Sequence, residues 1–209
     1  MVRVAGTGDA DWFLRSGRAG YDAILAHATL DDLNSVLDFG CGCGRVTRWW
    51  SDFDGRVSGS DVSAPAIEWC RANLPFARFE QNALAPPLVF EDESFDLVYA
   101  LSVFTHLTAD LQTAWRDELR RVLRPGGLLL LTTHGRSYVP RLGDGERERF
   151  EQGELVVRWG EVVGSNLCSA YHPEPYLRGT FAEGFAFLEL DPEGARGNPT
   201  QDLVLLRKE

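Results

Sequence analysis

The sequence predicts an α/β fold: a doubly wound, seven-stranded, mainly parallel sheet whose last strand is antiparallel. Three observations predict it. Short apolar runs alternate with amphipathic stretches from residue 35 to residue 133, as when helices cross between parallel strands. The first run ends in three glycines at alternate positions, Gly40, Gly42 and Gly44, a strand closing in a glycine-rich turn that opens a helix. The last two runs, 185–190 and 202–207, are joined by a Gly/Pro/Asn-rich turn short enough to make them an antiparallel pair.

The elements follow in order. Residues 9–30 read as a helix, with Trp12, Phe13, Ala19, Ile24 and Leu25 on one apolar face, although Gly17 and Gly20 weaken it. Residues 35–39 are a first strand, 44–53 a helix ending near Gly55, and 56–61 a second strand. Ser63 is an N-cap, and Pro65 is tolerated in the first turn of a helix running to Asn73. Residues 77–80 are a short third strand, and 95–101 (FDLVYAL) a buried fourth. Thr108 caps a long helix whose Leu111, Trp115, Leu119 and Val122 share one face, and Arg124-Pro125-Gly126-Gly127 stops it. Residues 128–133 (LLLLTT) are apolar enough for a central strand covered on both sides. Residues 135–180 break the alternation and read as an insertion above the sheet edge, with a charged run (GERERFEQGE), a strand-like run from Leu155 to Trp159 and a helix near 174–183.

With 209 residues the chain is sized for a single α/β domain, 1–209. Its 44% hydrophobic and 25% charged composition is that of a soluble protein. No apolar run approaches bilayer length, and the opening MVRVAGTGDADWF lacks a signal-peptide core, so a cytoplasmic location without membrane insertion is expected. A monomer or homodimer is the expected state. The net charge of −10 argues against nucleic acid as partner. The arginines at 116, 120, 121 and 124 are interleaved with Asp117 and Glu118 and read as a solvated helix face. Cys41, Cys43, Cys70 and Cys168 form neither a CxxC pair nor a metal-ligand pattern, so no metal is expected.

The glycine loop carries the chemistry. Asp61 stands 21 positions after Gly40, at the end of the second strand, where an acid accepts hydrogen bonds from a ribose. The dinucleotide form of this loop is G-x-G-x-x-G; here the order is Gly40-x-Gly42-x-Gly44, preceded by Asp38. An acid just before the loop repels a pyrophosphate, which wants bare backbone donors. It favours a cofactor carrying an ammonium and a sulfonium. An NAD(P)-dependent oxidoreductase is therefore the second enzyme reading, and a non-catalytic cofactor-binding module is a third.

On these residues the chain resembles the class I S-adenosylmethionine-dependent methyltransferases. VLDFGCGCGRV is similar to their first motif, SGSDVS to the second, FEQNALAPPL to the third and FDLVYALSVFTHL to the fourth, and LRRVLRPGGLLLLTTHG resembles the helix-turn-strand that follows. The resemblance is close over about residues 35–135 and continues loosely through AYHPEPY and QDLVLLRK, like bacterial members acting on small molecules, sugars or natural-product-like acceptors. It implies the Rossmann-like methyltransferase fold, S-adenosylmethionine as cofactor and S-adenosylhomocysteine as product. It implies that Asp38, Gly40, Cys41, Gly42 and Gly44 line the methionine and ribose, and that Asp61 accepts the ribose hydroxyls. Val62 would pack on the adenine, Asn82 and Ala83 contact its edge, and Leu101 and Ser102 border the methionine. Asn82 stands where many members have an acid; an amide still accepts from the exocyclic amine.

The expected reaction is methyl transfer to a small-molecule acceptor, with O-methylation ahead of N- or C-methylation. Positioning does much of the work, and a hydroxyl acceptor gains from a general base. His134, at the end of the fifth strand, leads; His106, after the fourth, and His172, in AYHP, are the others, and each also reads as structural. Catechol-type magnesium enzymes need carboxylates at the end of strand four, where this chain is apolar. Base-amino methyltransferases carry an Asn/Asp-Pro-Pro-aromatic run there, and this chain has Ala100-Leu101-Ser102-Val103. Residues 1–30 read as a helical lid carrying Trp12, Phe13 and Tyr21, and residues 135–180 as the acceptor side, carrying Trp159, Tyr171 and Tyr176.

Overall fold

A computed structural model of the chain describes residues 8–195 and 200–209; the first seven residues of the expected lid and part of the turn between the last two strands lie outside them. The strands are β1 (Ser35–Phe39), β2 (Arg56–Asp61), β3 (Arg78–Gln81), β4 (Phe95–Ala100), β5 (Leu123–Thr133), β6 (Val156–Arg158), β7 (Ser169–Tyr171), β8 (Phe185–Asp191) and β9 (Asp202–Lys208). Seven form one sheet in the order β3-β2-β1-β4-β5-β9-β8, and β6 and β7 form a separate hairpin. The pairs from β3 to β5 are parallel. Strand β9 runs antiparallel to both neighbours. From β1 the chain winds outward through β2 and β3, then returns to lay β4 on the other side of β1. Strand order therefore reverses between β1 and β4, and the carboxyl ends of those strands open a crevice.

Alternate residues of the central strands feed two cores, as a two-residue pleat requires. Leu37, Val98, Leu129 and Leu131 pack with Trp115 and Leu119 on one face. Val36, Leu97, Tyr99 and Leu130 pack with Ile24, Val46 and Trp50 on the other. Helix α3 (Ala109–Val122) supplies Trp115 and Leu119 and also buries Gln112, Arg116 and Glu118, so Arg116, expected on a solvated face, instead donates to the Thr180 carbonyl. It ends directly at β5, whose pairing starts at Leu123, skips, and resumes at Leu128. The Pro125-Gly126-Gly127 bulge, with Gly126 at φ 77°, fills the gap.

Helix α1 (Ala10–Leu25) is shorter than the expected 9–30 and is capped by Asp9, whose Oδ1 accepts from Trp12 N–H. The glycines that weaken it as a helix explain its position. A Cβ on Gly17 would lie 2.0 Å from the Arg45 carbonyl oxygen, and one on Gly20 would lie 3.0 Å from Leu101 Cδ1 and 3.1 Å from Val46 Cγ2. The helix thus rests backbone to backbone on the segment after β1. Helix α2 (Ala64–Asn73) starts where expected, but the Ser63 side chain makes no capping bond; the Ser63 N–H donates instead to Asp61 Oδ1.

Residues 44–53 do not form the expected helix. Only a tight turn of 3₁₀ type, Thr47–Trp50, is present. Three residues per turn bring positions 47 and 50 into line, and both side chains are used inward. The Thr47 hydroxyl donates to Asp38 and the Trp50 indole donates to the Tyr99 hydroxyl at 3.1 Å.

The 135–180 segment holds α4 (Asp144–Glu151), the β6–β7 hairpin and α5 (Glu174–Tyr176). In place of the long helix near 174–183, α5 widens into a π-type turn over Leu177–Phe181, which buries both end residues. Tyr138, Leu142, Phe150, Val156 and Tyr171 make a small core of their own. His172 N–H donates to the His134 carbonyl, tying the segment to β5. The His172 ring is a core group. Its Nε2–H donates to Gln112 Oε1, whose amide nitrogen is spent on the Phe104 and Leu107 carbonyls. Its Nδ1 is buried without a partner, and burial drives its pKa down to about 3.

Replacing Gly17 with Ala should destabilise the protein. Helix propensity alone predicts a gain of about 1 kcal/mol. The 2.0 Å approach to the Arg45 carbonyl forces α1 away, so a lower midpoint in urea is expected. A raised midpoint would show that α1 does not sit against this turn.

Candidate active site

The glycine loop is stitched to the end of β2. The Gly40 and Cys41 N–H groups both donate to the Ser60 carbonyl, at 2.8 and 3.0 Å. The Gly42 N–H donates to Asp61 Oδ2 at 2.8 Å, and the Ser63 N–H to Asp61 Oδ1 at 2.8 Å. One carboxylate thus holds the loop and the start of α2 together. Each of its oxygens keeps a further lone pair for a ligand. Gly40 has φ 79°, and a Cβ there would lie 2.3 Å from Val103 Cγ2 in the turn after β4. The loop needs glycine here both for its left-handed backbone and for contact across the switch point. Beneath it, the buried thiols of Cys41 and Cys70 both donate to the Gly42 carbonyl.

Asp38 is fully buried behind the loop. Burial raises its carboxyl to about 6, against hydrogen bonds from Thr47 and Tyr99 and the charge of Arg45. Arg45 Nη1 donates to the Ser16 carbonyl of α1 at 2.8 Å. Arg45 and Thr47 carry no sequence signal of their own; both read as ordinary helix residues in a helix that does not form.

Above these groups lies a cleft of about 850 Å³ at the carboxyl ends of β1 to β5. Asp38, Gly40, Cys41 and Asp61 line one end. Val62, 45% exposed, and Asn82 line the wall beside β3. Asn82 Nδ2 donates to the Ala83 carbonyl at 2.7 Å, leaving its buried Oδ1 with no partner. A wall acceptor that spends no hydrogen bond within the protein suits an amine edge, and the cleft has the size for an adenosine-bearing group. Leu101 and Ser102 also face the cleft. Ser102 has φ 59° and is held there by a polar knot: its N–H donates to Thr132 Oγ1, and both hydroxyls donate to Gln201 Oε1. Thr132 and Gln201 were not anticipated; the only trace of them is polarity at the ends of two apolar strands.

The far end of the cleft is lined by His106, His134, Arg141, Ser165 and Ser169. The two imidazoles stand edge to face, 6.5 Å apart. Hairpin strand β7 orients both. His106 Nδ1–H donates to the Cys168 carbonyl at 2.7 Å and His134 Nδ1–H to the Ala170 carbonyl at 3.1 Å. Each therefore keeps Nε2 as a bare acceptor. Burial, with His106 close by, lowers His134 to about 4.

Other expected residues lie elsewhere. Gly42, Gly44 and Ala83 do not line the cleft; Gly42 serves through its N–H, and Gly44 faces Leu74 and Cys70. Phe13 lies buried under Arg48 and Tyr21 packs edge-on against Trp50, so these aromatics, like Trp12, are outside the cleft wall. Trp159 is exposed, Tyr171 is in the insertion core and Tyr176 donates to Gln112. His172 is likewise behind the wall. Among the described residues no three His, Cys, Asp or Glu side chains gather as for a metal.

Residues 37–131 match the family described as "Methyltransferase domain". The chain is 34% identical to a malonyl-[acyl-carrier protein] O-methyltransferase of Enterobacter lignolyticus, over 79% of this chain and 62% of the relative. It is 29% identical to a tRNA N(3)-methylcytidine methyltransferase of Drosophila melanogaster, over 71% of this chain and 47% of the relative. The chain spans 47–62% of the length of the first curated relatives it matches. The fold matches the crystal structure of an S-adenosylmethionine-dependent methyltransferase from Mesorhizobium loti, at 22% identity and TM-score 0.69, covering 91% of this chain and 98% of that one. Loop, sheet order and relatives agree, and the chain belongs to the class I S-adenosylmethionine-dependent methyltransferase family.

Proposed function

We propose that the chain transfers a methyl group from S-adenosylmethionine to a small-molecule acceptor, with oxygen favoured as the acceptor atom. One observation carries this: a single cleft joins an Asp61-stitched loop and the orphaned Asn82 Oδ1 at one end to two imidazoles held as Nε2 acceptors at the other. The cofactor supplies a methyl group already activated on a sulfonium. Asp61 accepts the ribose hydroxyls on its remaining lone pairs, Val62 packs on the adenine and Asn82 Oδ1 accepts from its amine edge, beside Ala83. Leu101 and Ser102 border the methionine portion, where the Asp38 charge favours an ammonium. His106 and His134 accept from an acceptor hydroxyl and set its direction. The proton-abstracting role expected of His134 is the weaker part of the reading. A base with a pKa of about 4 has little drive to take a hydroxyl proton near neutrality. Orientation is the larger contribution.

The reading takes residues 1–209 as one domain. The described part of 1–30 braces the cofactor end through the Ser16–Arg45 contact, and 135–180 forms the acceptor side through the β7 carbonyls. The net charge of −10 favours a small acceptor over nucleic acid. A tRNA-methylating relative keeps the second class in view. Among the described residues no helix is long and apolar enough to cross a membrane.

S-adenosylhomocysteine at about 100 times its dissociation constant should add ~2.7 kcal/mol and raise the melting point by about 5–10 °C. NADH should not. In Asp61→Ala that rise should vanish, on top of a lower starting Tm from two unpaired N–H groups. A shift with NADH alone would sink the methyltransferase reading, and an unchanged shift in the variant would sink the ribose assignment.

The Asp38 carboxyl near 6 also gives a pH dependence. An ammonium beside it stabilises the ionised form, so binding lowers its pKa. Affinity for S-adenosylhomocysteine should then be flat above about pH 6 and weaken as pH falls below it. Calorimetry on wild type and Asp38→Asn checks this; the variant should bind more weakly and lose the slope.

His134→Ala should cut turnover about 100-fold, measured as S-adenosylhomocysteine released over a panel of acceptors, with cofactor affinity kept. Full activity would remove His134 from the acceptor site.

A further inference from the structure

Six arginines lie in the 135–180 segment, and five have carboxylate partners. Arg136 pairs with Glu151 at 2.9 Å, Arg147 with Asp144 at 3.9 Å and Arg149 with Glu154 at 2.9 Å. Arg158 pairs with Glu146 at 3.2 Å and Arg178 with Glu174 at 2.7 Å. Arg141 has no carboxylate partner among the described residues. Within this segment it is the arginine left without an acid.

Its surroundings point into the cleft. Arg141 lines the cleft with His106 and His134. Its guanidinium carbon lies 4.4 Å from the centre of the Tyr138 ring, and that ring is stacked on His134 at 4.1 Å. The Tyr138 hydroxyl is anchored on the Thr200 carbonyl at 2.9 Å. The backbone of Arg141 is held too: its carbonyl accepts from Arg158 Nη1 at 3.1 Å. The guanidinium is thus placed by a stack and a braced backbone while its five donors stay uncommitted. Among the described residues the carboxylates on the cleft wall are Asp38 and Asp61. Both belong to the loop end, where Thr47 holds one and Gly42 and Ser63 hold the other. At the Arg141 end the described wall carries imidazoles, serine hydroxyls and this one guanidinium.

Resting on the methyl-transfer reading above, we propose that Arg141 determines acceptor specificity by binding an acidic group, so that the acceptor is a small molecule carrying a hydroxyl and, on the same skeleton, a carboxylate or phosphate. The hydroxyl donates to the bare imidazole nitrogens and the anion takes the guanidinium fork, which matches two oxygens side by side. Two fixed anchors orient the acceptor about an axis, as in-line transfer requires. The anion itself is a poor hydrogen-bond match for the imidazole nitrogens, which are acceptors, so the two anchors sort the two ends of the acceptor.

The test uses the full chain saturated with S-adenosylhomocysteine. The probes are matched pairs: 3-hydroxybenzoate and 4-hydroxybenzoate with their amides, 3-hydroxyhexanoate with its amide, and glycerol 3-phosphate with glycerol, each followed by calorimetry. At least one anion should bind ten-fold or more tightly than its neutral partner. Arg141→Gln should erase that preference, and Arg141→Lys should keep part of it. The pair that responds tells carboxylate from phosphate. The Tm of the loaded variants should match wild type, since Arg141 is exposed. The proposal is overturned if no anion in the panel outbinds its neutral partner, or if the preference survives in Arg141→Gln. Failure of S-adenosylhomocysteine itself to bind wild type is a separate result, and it overturns the methyltransferase reading on which this one stands.

Discussion

The Asp61 carboxylate joins the glycine loop to the start of α2. One oxygen accepts from Gly42 in the loop after β1, and the other from Ser63 at the start of α2. Two backbone donors that would otherwise be stranded at a loop and a helix start are met by one acid. The neighbouring Ser60 carbonyl takes the Gly40 and Cys41 N–H groups, so the loop has three of its fixed points on β2. The geometry of the cofactor end is therefore set by the register of β1 against β2. Losing the acid removes the clamp that shapes the cleft.

Behind that clamp the structure keeps a charge in an unfavourable place. Asp38 is buried, and the network of Thr47, Tyr99 and Trp50 only partly offsets its desolvation. Such a group is costly to fold around, and that cost is typical where a site needs a fixed charge. Arg45 shares the burial and links the site to α1 through the Ser16 carbonyl. The close fit of Gly17 on Arg45 makes the same link from the other side. The cofactor end is thus rigid and acidic, and the acceptor end is neutral to cationic.

The histidine end of the cleft is shaped by a three-residue strand. Carbonyl 168, just before β7, and carbonyl 170, within it, each take an imidazole Nδ1–H. Strand β7 is in turn fixed through His172, buried on the Gln112 side chain of α3. The 135–180 segment reaches the cleft through backbone carbonyls, Ser165, Ser169 and one arginine. Tyr138, Phe150 and Tyr171 go to its own small core.

Sequence alone determined the α/β class, the strand positions, the switch-point loop and the pairing of that loop with Asp61. All of these rest on local pattern: runs of apolar residues, glycines at fixed steps and an acid at a fixed distance. It also set His106, His134 and His172 toward one acceptor side, of which the first two line the cleft and His172 is a core group. Only the tertiary structure decided the rest. Residues 44–53 coil into a tight turn because Thr47 and Trp50 are claimed by Asp38 and Tyr99 on other strands. Gly17 and Gly20, unfavourable within a helix, are required by the chain they touch. Arg45, Arg141, Thr132 and Gln201 matter through contacts with residues distant in sequence, and Tyr171 and Tyr176 are held outside the cleft wall for the same reason. Hydrogen bonds and packing across such distances depend on where the sheet order brings strands together, and no local spacing encodes that.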